Sequence, residues 1–445
     1  VSGTGFAHRA LYGWISEYAN RPLPGVWPQI PLDDEILRDL DGYFDLCRDV
    51  GYNEIGFWGL FVDRRWPADI ASAVNDDRRA RVQRLLDAAH SRGLKVVSGL
   101  GLYSWGFEAI IEANPHLSRG NRQAMCPSVP ESHVWMDRVL DFVLGFEIDG
   151  LNMQSADQGR CPCEECAPLS DVAYHARLNT RVAGYINARW PGKTLVMDNW
   201  GCPFSDPDQQ PDLVAMSQHL SYIIDQNNSA QRAGTDYRRE LIAALHCDFG
   251  TLAGRSIWPP QRWPRDKWFV PATVTNVDCI RSLQADGGRA VEQFVTTLAN
   301  PSGEVSLRFM GRLLADPSAD PDRLLGEAVE ATYQPRDPGT RRGLVDIVRA
   351  TEQAFFAYSH PPAGADIGLI EIDGGLFPKE EPSEERYLRR MSQEDLVAYG
   401  DAIAAAARDF EKLRAGIHRQ QKADLTARCL ATVLADVARI RAQQG

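Results

Sequence analysis

Short apolar runs alternate with amphipathic stretches over the first two-thirds of the chain. The runs are Arg9–Ser16 (RALYGWIS), Asn53–Val62 (NEIGFWGLFV), Leu94–Tyr103 (LKVVSGLGLY) and Glu147–Ser155 (EIDGLNMQS). Lys193–Trp200 (KTLVMDNW), Asp212–Leu220 (DLVAMSQHL), Glu240–Gly250 (ELIAALHCDFG) and Gly288–Thr297 (GRAVEQFVTT) follow. Continuous apolar character, without strict alternation, predicts strands covered on both faces, as in a parallel sheet. Several intervening segments have helical period. One carries Ile36, Leu37, Leu40, Tyr43, Phe44 and Leu46 on one side and ends at Gly51. Another ends at Gly93, just before a strand, which is the joint of a wound parallel sheet. Eight strand candidates over about 290 residues predict an α/β chain folded as a (β/α)8 TIM barrel spanning 1–299. A doubly wound open sheet is the alternative, but no G-x-G-x-x-G follows the first run, so a dinucleotide fold has no support. From Asn300 the pattern becomes helical in period and in Ala, Leu and Arg content, which predicts a C-terminal α-helical domain over 300–445. Pro361–Glu385, rich in Pro, Gly and acid, reads as a loop within it.

Composition narrows the class. Of 445 residues, 44% are hydrophobic and 24% charged, the proportions of a globular protein. A net charge of −12 argues against nucleic acid, whose affinity comes from phosphate neutralisation by Lys and Arg. No apolar run reaches the 18 or so residues of a membrane span, so no membrane partner is expected. Nine cysteines, an odd number, suit reduced thiols with one metal knot better than a disulfide framework. The chain begins at Val1 without a signal-peptide pattern, which favours the cytoplasm; a trimmed signal would make it secreted or periplasmic. A homo-oligomer is left open.

In such barrels the chemistry lies at the carboxyl ends of the strands. The predicted strand ends supply Trp14, Trp58, Tyr103, Trp105, Gln154, Asp157, Asp198, Trp200, His219, Asp225, Asp248 and Glu292, with Asp63 and His246 among them and Arg9 near the start of the first strand. Aromatic faces stack on the apolar faces of sugar rings, and carboxylates with amides hold hydroxyls. Glycoside hydrolysis needs two carboxyl groups flanking the scissile bond, one of them protonated near neutral pH. The predicted rim meets that need. Taken singly, each of these residues is equally well read as a loop anchor or a helix N-cap.

The layout resembles the barrel glycosidases of the alpha-glucuronidase family and related glycosidase-like proteins with C-x-C-x-x-C after strand four. The motifs that carry it are QSADQGRC (Gln154–Cys161), SYIIDQ, ALHCDFG and the run Asn300–Tyr333. The resemblance spans about residues 8–350. It implies Asp157 as general acid, Asp248 with Asp225 as the pair holding the attacking water or acting as nucleophile, and an inverting outcome. This chain departs from the family in having Asp where those enzymes have Glu, and in lacking their extra N-terminal domain. Arg9, Trp58, Tyr103, Trp105, Gln154, Arg160, Asp198, Trp200, His219 and Glu292 are the candidate sugar-binding residues. The long stretch Gly254–Phe269 would close a pocket, which suits exo action on a terminal sugar. A non-catalytic carbohydrate-binding barrel, or a metal-dependent hydrolase or lyase on the same fold, are the rival readings.

Cys161, Cys163 and Cys166 can converge on one ion, with Cys126 as the fourth ligand and Cys202 as its alternative. A structural zinc, a disulfide and free thiols all suit this spacing. No H-E-x-x-H or His cluster accompanies it, so no cofactor is expected for catalysis.

Overall fold

The computed structural model describes residues 5–20, 32–62, 65–155, 159–199, 202–226, 228–253, 268–358 and 383–444. Eight parallel strands close into a barrel in sequence order. They are β1 (His8–Trp14), β2 (Glu54–Trp58), β3 (Lys95–Gly101), β4 (Gly150–Gln154), β5 (Thr194–Asp198), β6 (Tyr222–Asp225), β7 (Asp248–Ala253) and β8 (Ala290–Phe294). Helices alternate with the strands, and a helical region follows, so the fold is a (β/α)8 barrel with C-terminal helices.

The first crossover shows why these residues fold this way. The Asp33 carboxylate accepts from the backbone N–H groups of Glu35 and Ile36, capping helix Asp34–Val50. Its apolar stripe is buried from Ile36 to Val50. Gly51 ends it at φ 97°, a left-handed conformation that costs little only for glycine. Asn75 and Ser170 cap the helices after β2 and β4 in the same way.

Two strands differ from expectation. Asp212–Leu220 is largely the helix Gln210–Ser217, and Glu240–Gly250 is largely the helix Thr235–Ala244. The true β6 begins just after the first run, at Tyr222, and β7 begins in the last three residues of the second, at Asp248. Short apolar stretches do not distinguish strand from buried helix by period. Here Ala and Leu content marked the helices, and the Tyr222-Ile-Ile segment marked the strand. The shift carries His219 and His246 into αβ loops, at the amino end of the barrel.

Helix Pro301–Ala315 packs on Asp34–Val50 and touches β1 and β8. Helices Pro321–Tyr333, Pro338–Tyr358, Ser383–Arg390, Gln393–Leu413 and Gln420–Gln444 follow. Buried Glu304 ties helix Pro301–Ala315 to the last of these: it pairs with Arg308 at 2.9 Å on its own helix, and with Arg419 at 3.2 Å and Lys422 at 2.5 Å at the start of Gln420–Gln444. Glu352 accepts from the backbone and hydroxyl of Thr273, and Trp268 Nε1 donates to Asp436 at 2.8 Å. One apolar core runs from the strand–helix interface into the C-terminal helices, and a second fills the barrel. No helix among the described residues is long and apolar enough to cross a membrane.

Candidate active site

Strand alternation sorts the polar residues. The barrel-filling core contains Tyr12, Trp58, Val97, Val196, Tyr222, Ile224, Leu252, Ala290 and Phe294. Asn152, Gln154, Asp198 and Glu292 share that inward parity on β4, β5 and β8. Hydrogen bonds across the barrel agree: Asn152 Nδ2 on β4 donates to Glu292 Oε1 on β8 at 2.8 Å.

At the carboxyl end, three indoles meet. Trp14 ends β1 and Trp58 ends β2, with ring centroids 5.5 Å apart, and Trp105 lies 5.7 Å from Trp14 and 6.5 Å from Trp58. A Cβ on Gly99 would collide with the Trp58 indole, so glycine on β3 lets that ring lie against the strand. Tyr103 and Trp105 both adopt left-handed backbone, at φ 60° and 61°. For bulky residues such a conformation costs about 1–3 kcal/mol each, and it persists only where the surroundings hold it.

Asp198, the last residue of β5, is fully buried and is paired in register with Gln154 of β4; its Oδ2 accepts from Gln226 Nε2. Burial, with the Asp198 charge nearby, raises the Glu292 carboxyl well above the usual carboxylate range, against the bond from Asn152. Among the described residues, Trp58 Nε1, Asn152 Oδ1, Gln226 Oε1 and Glu292 Oε2 are buried without a hydrogen-bond partner. Such atoms are rare in folded proteins; Asn152 and Glu292 lie at mid-strand inside the barrel, with Trp58 and Gln226 at the carboxyl ends of β2 and β6, and a polar ligand or water there would supply the missing bonds.

Other sequence candidates lie elsewhere. Asp248 opens β7 at the opposite, amino end, 3.4 Å from His8 Nε2 and 3.3 Å from Arg289 Nε. Asp225 ends β6 but has the outward parity. It accepts from Asn199 Nδ2 at 2.8 Å, Ser229 Oγ at 2.7 Å and the Ala230 N–H at 2.8 Å, so it fastens the loop behind the strand. Arg9 also points outward, donating to the carbonyls of Gly51 and Phe6. Arg160 pairs with Asp171 at 2.8 Å, donates to the Cys166 carbonyl and lies over Tyr174. The Tyr103 hydroxyl lies 2.5 Å from His133 Nδ1, turned toward the helix Pro130–Leu144. His219 sits before β6, its carbonyl held by Asn187 Nδ2 at 3.2 Å. Asp157, Trp200, Asp63 and most of Gly254–Phe269 and Pro361–Glu385 lie outside the described residues.

Sequence reading missed Asn152 and Gln226, and placed Trp14 at a strand end without assigning it to the sugar. Asn152 could have been found as a polar residue inside an otherwise apolar strand. Gln226 needed β6 in its true position.

Cys126, Cys161, Cys163 and Cys166 form a group whose four Sγ atoms lie within 4.8 Å of one another, a set that could hold a metal ion. Cys202 is not part of it. At a Zn–S distance of about 2.3 Å, neighbouring sulfurs of a tetrahedral site stand roughly 3.8 Å apart. The Cys126–Cys163 separation is 3.7 Å, far beyond a disulfide bond. Burial opposes ionisation of Cys163, but the backbone N–H groups of Cys166 and Glu165 and the Cys161 thiol bring it down to about 6. The residues therefore fit a soft tetrahedral cation.

No protein-family model matches the chain, and no curated protein matches its sequence. Its fold is similar to two solved structures. One is a mutant O-GlcNAc hydrolase of Thermobaculum terrenum, at a TM-score of 0.52 and 12% identity, covering 92% of this chain and 77% of that one. The other is CpGH84B, at 0.51 and 9% identity, covering 99% and 69%. Both are glycoside hydrolases built on the same barrel, and neither is an alpha-glucuronidase. At these identities the likeness is one of fold.

Proposed function

We propose that this chain is a glycoside hydrolase acting at the carboxyl end of its barrel on a terminal sugar of an oligosaccharide or glycoconjugate. The observation that carries the reading is the pairing of a three-tryptophan wall on β1, β2 and the loop after β3 with the buried carboxyl groups Asp198 and Glu292 across the barrel. Indole faces stack on a sugar ring. The unpartnered atoms of Trp58, Asn152, Gln226 and Glu292 supply donors and acceptors for its hydroxyl or amide groups. The fold likeness to glycoside hydrolases is in keeping with this.

Asp157, three residues beyond the end of β4, is the proposed general acid. Asp198 takes the role that the family resemblance implies for Asp248 and Asp225, as the charged partner that activates water or attacks carbon. Glu292, favoured in its neutral form, donates a hydrogen bond to the sugar. The four-thiol group is read as a structural zinc site with no part in bond cleavage.

A panel of aryl glycosides differing in sugar and anomer tests the proposal. Release of the aryl group from at least one, abolished in Asp198→Asn, is the expected result. A second reading is a carbohydrate-binding barrel without catalysis, favoured by the positions of Asp225 and Asp248 away from the mouth. Saturable sugar binding with no turnover of any glycoside would establish it instead.

A further inference from the structure

The loops after β3 and β4 are joined along much of their length. Ser104 Oγ donates to the Ser155 carbonyl at 3.2 Å, and Asn121 Nδ2 donates to the Arg160 carbonyl at 3.3 Å. Arg119 pairs with Glu165 at 2.9 Å, and Gly120 packs so closely on Pro162 that a Cβ there would stand 2.8 Å from its ring. The four thiols close this seam. Three come from the loop after β4, and the fourth, Cys126, comes from the loop after β3. An ion held by all four is therefore a cross-link between two loops.

Cys126 also adjoins the residues that pair with the strained part of its loop. The N–H of Met125 donates to the Tyr103 carbonyl at 2.7 Å, and Ala124 forms a bridge with Ser104. Ser104 lies between the two left-handed residues, Tyr103 and Trp105. Fixing Cys126 fixes Met125 and Ala124, which hold the backbone from Tyr103 to Trp105. Trp105 then completes the indole wall with Trp14 and Trp58.

We infer that the four-cysteine metal site is a clamp that positions Trp105 in the sugar-binding wall by tying the loop after β3 to the loop after β4. The inference rests on the zinc and sugar-site readings above, and its test reads the clamp without depending on turnover. Zinc suits the site because four thiolates form a soft donor set, and because a closed tetrahedron leaves no position for substrate. The ion's contribution to the sugar site is geometric. It joins loops distant in sequence and restricts the conformations open to the strained turn.

Zinc content of the purified full chain, amide hydrogen exchange and tryptophan fluorescence are measured before chelation, after it, and after zinc is added back. We expect one zinc per chain. On its removal, exchange should rise at least tenfold in segments 102–106 and 121–129, with a fluorescence shift that Trp105→Phe abolishes. Exchange in β6, β7 and β8 should stay unchanged, and added zinc should reverse every effect. Cys126→Ser should reproduce the chelated state. Zinc that leaves without altering exchange in those segments overturns the clamp while the zinc reading stands. Unfolding of the whole barrel also overturns it, since the metal would then be a requirement of the fold. Protein that neither contains nor takes up zinc removes the zinc reading and the clamp together. If the expected exchange is seen but no glycoside is cleaved, the clamp stands and the enzymatic reading fails.

Discussion

Two groups of similar side chains are buried inside the barrel in opposite states of satisfaction. At the amino end Glu54 accepts from His8 at 2.7 Å and from the Tyr222 hydroxyl at 2.9 Å. Asp248 closes the same network against His8 and Arg289, and the His8 and Tyr222 rings lie 4.3 Å apart. At mid-barrel Asn152 and Glu292 share one bond, while their other oxygens, with Gln226 Oε1 and Trp58 Nε1 toward the carboxyl end, have no partner among the described residues. An unmade buried hydrogen bond costs about 1–3 kcal/mol. A fold accumulates such costs where a ligand offsets them, so on the proposed reading the unsatisfied group faces the ligand and the satisfied one stabilises. Carboxylates alone do not tell the groups apart, because both have them.

The largest expected effect separates Asp157 from Asp248. Asp157→Asn should lower turnover of alkyl glycosides by about two to four decades, the range for loss of a general acid. Dinitrophenyl glycosides, whose leaving group needs little protonation, should lose far less. Asp248→Asn should leave kcat/KM within about threefold while lowering the urea midpoint, since an ion pair with His8 is lost. Equal loss on both substrate types for Asp157→Asn would return that residue to a structural role. A collapse of kcat for Asp248→Asn would reverse the assignment of the two ends.

The amino-end network should next show itself in stability. His8→Ala leaves Glu54 buried with one partner fewer, a change expected to cost about 3 kcal/mol in urea unfolding. It also removes a pH dependence. Burial opposes the charge on His8, but bonds and charges from Asp248 and Glu54 raise it to about 9, against 6.5 for the unfolded chain. A raised folded-state value gives stability that is fully present below pH 6.5 and is lost as pH rises toward and through 9. The wild-type midpoint should therefore fall over that window. A profile for His8→Ala that falls just as steeply would show that another group titrates there.

The same contrast explains what could be read from the sequence. Six of the eight strands were legible because strands buried on both faces leave unbroken apolar runs, as in Lys95–Gly101. Strands β6 and β7 were not, because the preceding helices end in short apolar stretches that lie directly beside them in the sequence. That error displaced the reading of Asp248 and His219. Trp58, Trp105, Asp198 and Glu292 were legible as residues of the interior or mouth, since they end or interrupt apolar strands. Tyr103 and Arg160 were not, because the composition of a loop does not say which way a side chain turns. The cysteine group was legible by spacing, and its fourth member, Cys126, by adjacency of predicted loops.

A smaller effect sharpens the floor of the mouth. Glu292→Gln keeps the shape and the neutral state that burial and Asp198 favour at this position. Stability should change by less than about 1 kcal/mol, because no charged partner is lost. The amide still accepts from Asn152 but alters the donor geometry toward the sugar, so KM should rise by about tenfold with kcat less affected. A large loss of stability would mean that Glu292 is charged and paired in the folded protein.

The smallest effect concerns Tyr103, which sequence reading assigned to the sugar and the structure turns away from it. Its ring is buried, and its hydroxyl lies 2.5 Å from His133 Nδ1. Burial and the Arg181 charge lower the His133 imidazole below its usual value, so its neutral ring nitrogen accepts a hydrogen bond from the phenol. Tyr103→Phe removes that one hydrogen bond and retains the ring and backbone. The expected cost is about 1 kcal/mol of stability, the net worth of a single buried bond. KM for the best glycoside should not change, and neither should the spectrum of bound sugar against the tryptophans. A rise in KM of tenfold at unaltered stability would mean that the hydroxyl reaches the substrate, and that the loop after β3 presents Tyr103 as well as Trp105 to the mouth.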